Sequence, residues 1–277
     1  MIRLVRSVSL PSRGARREFV GLRQPGFRAY AMRLEGMSFD AALLGTSNAR
    51  NSFDTDLTLV LRGRWIDPRD GGHEVLEGFA ACGPSLPTLA DRWEDGVILV
   101  TVEWDGATGP YRLSRSSART TKAARRFVEV LSATDERSHD HEVLKELLDA
   151  LRSDGFAVPE VTPREPPEAA VRSAHMLNHA LANLDRAPMW VDFTSERSER
   201  QWRRDLKESN EWLGLLGGSF RHTLNAIRLI FAASLITVPD ITLREVAACL
   251  GYGSDRALLQ AMRRAKMSPT KIRELAR

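Results

Sequence analysis

Arg256, Gln260, Arg263 and Arg264 crowd together near the end of the chain. Their types suit hydrogen bonding to nucleic acid: an arginine fork matches guanine O6 and N7, and a glutamine amide matches adenine N6 and N7. Such readout needs a helix delivered into a groove, and the surrounding residues supply the parts. Thr242, with Glu245 three residues on, has the form of a capping box. Leu243, Val246, Ala247 and Leu250 then recur at three- and four-residue spacing and make one apolar stripe. Gly251 provides a left-handed or tight turn. Ser254 or Asp255 can cap a second helix with Leu258, Ala261 and Met262 as its buried face. Small Ala247 lets the two helices approach closely. The pattern is a helix-turn-helix, whose second helix enters the major groove.

Other chemistry finds no complete constellation. The sequence has no glycine-rich phosphate loop followed by Lys-Ser/Thr and no dinucleotide-type glycine pattern after a strand. Gly214–Gly218 reads as a loop between helices. His73 stands alone beside Glu74 and Glu77; His139 and His141 flank Asp140, read as a helix cap; His175 and His179 share a helix face without a third ligand. No metal or cofactor is therefore expected. Cys82 lies among apolar neighbours, which raise a thiol pKa, and reads as a small buried residue. Cys82 and Cys249 are the two cysteines, too few for a disulfide framework, and point to a reducing, cytoplasmic setting. The first ten residues lack the unbroken apolar run of a signal peptide, and no stretch approaches the roughly 20 apolar residues of a membrane span.

The C-terminal residues resemble the AraC/XylS family of bacterial transcription regulators. The resemblance rests on Val246-Ala247, Gly251-Tyr252, Leu258, Met262, Arg263-Arg264, Ser268-Pro269 and Arg273. Upstream, Arg228-Leu229, Ala232 and Leu235 match the helix that links the family's two helix-turn-helix units. Ser198–Arg204 resembles the recognition helix of the first unit. The similarity covers about residues 170–277 and is strongest over 220–273. Two departures stand out. Pro188 to Ser198 is short for a support helix and turn, with Met189–Phe193 in place of the usual Ala-bearing pattern, and no glycine occurs near Lys266-Met267 before the Ser-Pro step.

The resemblance implies base contacts on the second unit from Asp255, Arg256, Ala257 and Gln260. Asp255 can accept from a cytosine amine or cap its own helix, and Ala257 can touch a thymine methyl. On the first unit the corresponding positions are Glu199, Arg200, Arg203 and Arg204, with Trp202 turned toward the core. Arg263, Arg264 and Lys266 read as phosphate partners. Two units on one rigid connector address major-groove segments about one helical turn apart, ~34 Å.

Charge distribution agrees. Residues 170–277 carry 17 Lys+Arg against 11 Asp+Glu, whereas the rest carries 23 against 25. The positive surplus therefore sits where phosphate would be met. A chain of 277 residues is long enough for two domains. Residues up to about 116 read as mainly β, with strands expected at Phe27–Met32, Asp56–Trp65, His73–Cys82 and 96–104, separated by Gly- and Pro-rich turns. Helices are expected at about 119–132 and 140–153, the second with Val143, Leu144, Leu147, Leu148 and Leu151 on one face. Pro159–Pro167 reads as a linker.

The expected fold is α+β. A cupin-like β barrel with two following helices (1–158), implied by the resemblance, precedes a linker (159–169) and an all-α domain of two helix-turn-helix units (170–277). In such relatives the helices after the barrel often make a dimer contact; the alternative is that the Leu stripe packs on its own barrel. Trp65, Phe79 and Trp104 are candidates either for a cavity wall or for packed core. The expected function is non-enzymatic: a promoter-binding regulator responsive to a small-molecule effector, with RNA polymerase and a second copy as further partners. A ligand-independent dimeric regulator and a thiol-dependent DNA alkylation-repair protein using Cys82 are the alternatives.

Overall fold

Ile2, Leu4 and Val8 are buried on one side of the first strand, with Arg6 interrupting them, and its neighbours follow as antiparallel hairpins. The computed structural model describes residues 1–40, 53–67, 69, 72–85, 92–107, 109–133, 139–182, 184, 198–214 and 220–275. The strands are β1 (Ile2–Leu10), β2 (Ala15–Gln24), β3 (Phe27–Glu35), β4 (Phe39–Asp40), β5 (Thr55–Arg62), β6 (Arg64–Asp67), β7 (His73–Leu76), β8 (Phe79–Pro84), β9 (Arg92–Trp93), β10 (Ile98–Trp104) and β11 (Arg112–Arg115). They form a seven-stranded antiparallel sheet, order β1-β2-β3-β10-β5-β8-β11, and a smaller sheet, order β4-β9-β6-β7. The expected strands over 56–65 and 73–82 are each broken in two. Gly63 and Gly78, both at positive φ, turn the chain from the large sheet into the small one and back again.

The helices are α1 (Ala118–Ser132), α2 (Asp140–Ser153), α3 (Glu168–Ala182), α4 (Glu199–Glu208), α5 (Asn210–Leu213), α6 (Phe220–Ile236), α7 (Leu243–Cys249), α8 (Asp255–Arg264) and α9 (Pro269–Leu275). Among the described residues, no helix is long and apolar enough to cross a membrane. Asp140 is not the cap of α2. His139 holds the cap position, its side chain making no capping bond to the backbone, and Asp140 is the first helical residue, buried 3.6 Å from the Arg3 guanidinium.

The large sheet has two differently used faces. One carries Val20, Leu22, Ala31, Leu59, Val100 and Val102, packed under Phe127 and Leu131 of α1 and Leu144, Leu147 and Leu151 of α2. The Leu stripe of α2 is thus buried within its own half of the chain, against α1 and the layer beneath it. Trp104 belongs to this layer too, whereas Trp65 lies in the other core and half-buried Phe79 packs against that second core, so the three do not line one cavity. The opposite face contributes Leu4, Val8, Met32, Leu34, Val60 and Leu99 to a core that runs on without a break into Ala174, Leu177, Leu181 and Phe231 of the helices. The inner core is shared between the two halves of the chain rather than closed within each.

Polar contacts pin that junction. Asn178 of α3 accepts from the Val5 amide at 3.1 Å and donates to the Arg3 carbonyl at 3.0 Å, satisfying the edge of β1 as a neighbouring strand would. Thr237 follows α6, and its hydroxyl accepts from the Ser38 amide at 2.8 Å. Arg13 reaches Glu245 of α7 at 3.3 Å. Residues 159–167 form neither helix nor strand, yet Gln24 holds them at their middle, donating to the Thr162 carbonyl and accepting from the Arg164 amide.

Candidate nucleic-acid interface

Helix α7 starts where the sequence says it should. The Thr242 hydroxyl accepts from the Glu245 amide at 3.2 Å, and Glu245 accepts from the Thr242 amide at 2.8 Å. The Thr242 amide and hydroxyl, with Arg13, hold the Glu245 carboxyl below the usual range. Val246, Ala247 and Leu250 are buried, and Leu243 is half-buried. The helix ends at Gly251, φ 68°, where the Gly251 amide donates to the Ala248 carbonyl and the Tyr252 amide to the Ala247 carbonyl. This is a Schellman closure, and it uses the left-handed conformation glycine reaches without penalty.

Of the two cap candidates for α8, Ser254 does the capping: its hydroxyl accepts from the Ala257 amide at 3.2 Å. Asp255 is the first helical residue, its carboxylate accepting from the Arg256 amide at 2.7 Å. Leu258 and Met262 are buried against α7, with Ala261 half-buried. Asp255, Arg256, Gln260, Arg263 and Arg264 are exposed, and Ala257 is half-buried. Residues 256, 260, 263 and 264 follow one another at helical spacing, so α8 turns a single continuous polar face to solvent. Lys266, also exposed, occupies the missing glycine's place. It sits at φ 58° and closes α8 as Gly251 closes α7, with the Met267 amide donating to the Met262 carbonyl.

Two arginines among the family-like residues are architectural. Arg228 of α6 lies over the Tyr252 ring at 5.9 Å, tying the connector to the turn, and burial lowers its pKa. Arg273 of α9 donates to the Ile241 carbonyl at 2.9 Å, bracing the entry to α7. Helix α6 itself has 17 residues, so it spans about 25 Å, with Leu224, Ile227, Phe231 and Leu235 buried.

Helix α4 opens with a second capping box, Ser198 with Gln201. Trp202 is 9% exposed and packs in the core with Leu206, as its spacing implied. Arg200, Arg203 and Arg204 are exposed, Arg204 lying 3.7 Å from Glu208. The Glu199 side chain lies outside the described residues, as do Met189–Phe193 and most of the Gly214–Gly218 loop. Arg172 of α3 binds buried Asp205 at 3.2 Å and locks α4 onto α3.

Among the described residues no group of three His, Cys, Asp or Glu could hold a metal ion. His73 stacks near Tyr111, and His139 contacts Glu142 at 3.1 Å. Cys82 is half-buried in β8, and burial pushes its thiol up to about 11.

No protein-family model matches the chain, and no curated protein matches it in sequence. Solved structures do resemble it. ToxT from Vibrio cholerae is 13% identical over 89% of this chain and 97% of its own, with a TM-score of 0.36. The AraC-like transcriptional activator CuxR is 12% identical over 96% and 88%, TM-score 0.32. Bacterial pirin YhhW from Escherichia coli, in complex with nickel(II), is 15% identical over 42% and 60%, TM-score 0.25. These TM-scores all lie below 0.5, so function is read from the chain's own geometry.

Proposed function

We propose that the chain is a sequence-specific DNA-binding transcription regulator that grips duplex through α8. The observation that carries this is the division of α8 into a buried edge, Leu258 and Met262, and an outward face bearing Arg256, Gln260, Arg263 and Arg264 on a capped helix-turn-helix. Arg256 and Gln260 read bases, with Asp255 and Ala257 beside them, while Arg263, Arg264 and Lys266 meet phosphates. Helix α4 is the second reader, through Arg200, Arg203 and Arg204, with Glu199 at its start; α6 sets the distance between the two.

Residues 1–158 serve as the effector-sensing domain, 159–169 as the link and 170–277 as the DNA-binding domain. An effector acts by favouring one arrangement of the halves over another. The contacts it would bias are those from Arg13 to Glu245 and from Ser38 to Thr237. No reaction is required of the chain, and the protonated Cys82 thiol speaks against nucleophilic repair.

Competition binding at moderate salt, with genomic fragments against scrambled duplex, tests the reading. Retention of a discrete set of fragments is expected. Equal displacement by scrambled DNA would count against it.

A further inference from the structure

One stretch of the N-terminal half carries charge that the fold does not use. Between Gly106 and Val128 the sequence has six cations, Arg112, Arg115, Arg119, Lys122, Arg125 and Arg126, and no Asp or Glu. The rest of residues 1–169 holds 17 Lys+Arg against 25 Asp+Glu, so positive charge is concentrated on this one stretch of an otherwise acidic half. Arg112 is engaged: it donates to the Asp154 and Gly155 carbonyls just beyond α2. The other five are exposed. Arg115 ends β11, and the rest lie on α1, whose other side, from Thr120 to Leu131, is buried. Arg119, Lys122 and Arg126 share one face at three- and four-residue spacing, with Arg125 beside them.

Neither the helix nor its neighbours account for these charges. A helix dipole favours acids at the N-terminus and cations at the C-terminus. Helix α1 does the reverse, with Arg119 and no acidic residue in its first turn, and Glu129 but no basic residue in its last. Its C-terminal carbonyls take their cation from outside, since Arg3 of β1 donates to Val130, Leu131 and Ala133. Like charges three and four residues apart also repel one another. Arg125 lies 3.7 Å from Glu77 and Arg126 2.6 Å from Glu146, but both pairs are exposed and therefore weak. Among the described residues Arg115, Arg119 and Lys122 form no ion pair.

What this face lacks decides its partner. A protein interface is centred on an apolar or aromatic patch, and the large apolar side chains most exposed among the described residues, Leu76, Leu113 and Val171, all lie off α1. A bilayer would take up the apolar side of α1, which is packed on the sheet. A duplex backbone needs only cations in a row. From Arg119 to Arg126 the helix advances about 10 Å, the rise of about three phosphates on one strand. We infer that this face of α1, with Arg115 ahead of it, is a second nucleic-acid surface that takes a duplex backbone without regard to sequence. It lies apart from α8. Helix α1 packs over Val20 and Leu22 of β2, whereas Arg17, on the opposite face of the same strand, donates to Ser234 and Ile230 of α6. The sheet separates the stripe from the connector helix, so the two surfaces address different stretches of nucleic acid, which one chain can bring together. The inference adds to the regulator reading without depending on it.

The test uses the full chain and a random-sequence duplex, with binding followed by anisotropy across a range of salt. Substituting Arg115→Gln, Arg119→Gln and Lys122→Gln together should reduce the slope of log affinity against log salt by about 2–3, at about 0.9 per phosphate contact. The triple variant should melt no lower than the parent, because the cations it removes are exposed and repel one another. The charge-preserving pair Arg119→Lys and Lys122→Arg should leave the slope unchanged. In a second measurement the parent, bound to a duplex on beads, should capture a labelled second duplex, and the triple variant should not. The inference fails if the parent captures no second duplex, or if the triple variant keeps the parent's slope or its capture. A triple variant that keeps its duplex slope but loses affinity for polyglutamate, or for vesicles of phosphatidylcholine and phosphatidylserine, would assign the stripe to an acidic protein or a membrane instead. A chain that selects no genomic fragment yet shows the α1-dependent slope and capture would sink the regulator reading and leave this one standing.

Discussion

Single side chains decide the sharpest expectations. Arg256→Ala should cost about 1–3 kcal/mol at a preferred site, relax one base position and leave non-specific retention nearly unchanged; equal losses on every duplex, measured by titration, would remove its reading role. Lys266 contrasts with it. A lysine at φ 58° pays roughly 1–2 kcal/mol for a left-handed backbone, so Lys266→Gly should raise stability in denaturant while weakening DNA affinity through the lost charge. Unchanged stability would contradict the strain. Cys82 offers a pH test. Its folded pKa, about 11, lies above the ordinary thiol value of 9.0, so the unfolded chain loses the proton first. Its contribution is complete below pH 9 and fades as pH rises toward 11. Iodoacetamide labelling of Cys82, followed by mass spectrometry, should stay slow at neutral pH and accelerate only in that alkaline window.

At the level of elements, α7 and α8 were readable because each rests on local rules: a hydroxyl cap, three- and four-residue apolar spacing, and a left-handed closing residue. Ser254→Ala should therefore destabilise by about 0.5–2 kcal/mol in urea unfolding, and no loss would mean that Asp255 takes over the cap. Strands β1 and β2 escaped sequence reading for a physical reason. Their inward positions alternate apolar residues with Arg6, Arg17 and Arg23, and this breaks the period-two signal that marks a strand. Helix α2 shows the other limit. Its Leu stripe announced a face to be covered, but only tertiary contacts reveal that the cover is the chain's own α1 and the layer beneath it. Among candidate site residues, helical spacing foretold exposure for Arg256, Gln260, Arg200 and Arg204. The bracing roles of Arg228 and Arg273 depend on partners distant in sequence, and no local pattern carries them.

Across the whole molecule the shared inner core is what matters. Leu4, Met32 and Leu34 pack in the same cluster as Leu177 and Phe231, so the halves should not melt independently. Calorimetry is expected to show one cooperative transition for the full chain; two well-separated transitions would mean that the junction contributes little. A fragment covering 170–277 should expose that apolar surface and be less soluble than the intact protein.

The fork of Asn178 along β1 has a consequence for how the molecule fails. While α3 is seated, Asn178 occupies the Val5 amide and the Arg3 carbonyl, in the row that another molecule would have to extend. Once that helix frays, the row is bared with the rest of the sheet still formed, a ready template for fibrous self-association. Turbidity under gentle warming should then begin with loosening at this one seam, well ahead of global melting, and a disulfide stitching α3 to β1 should delay it.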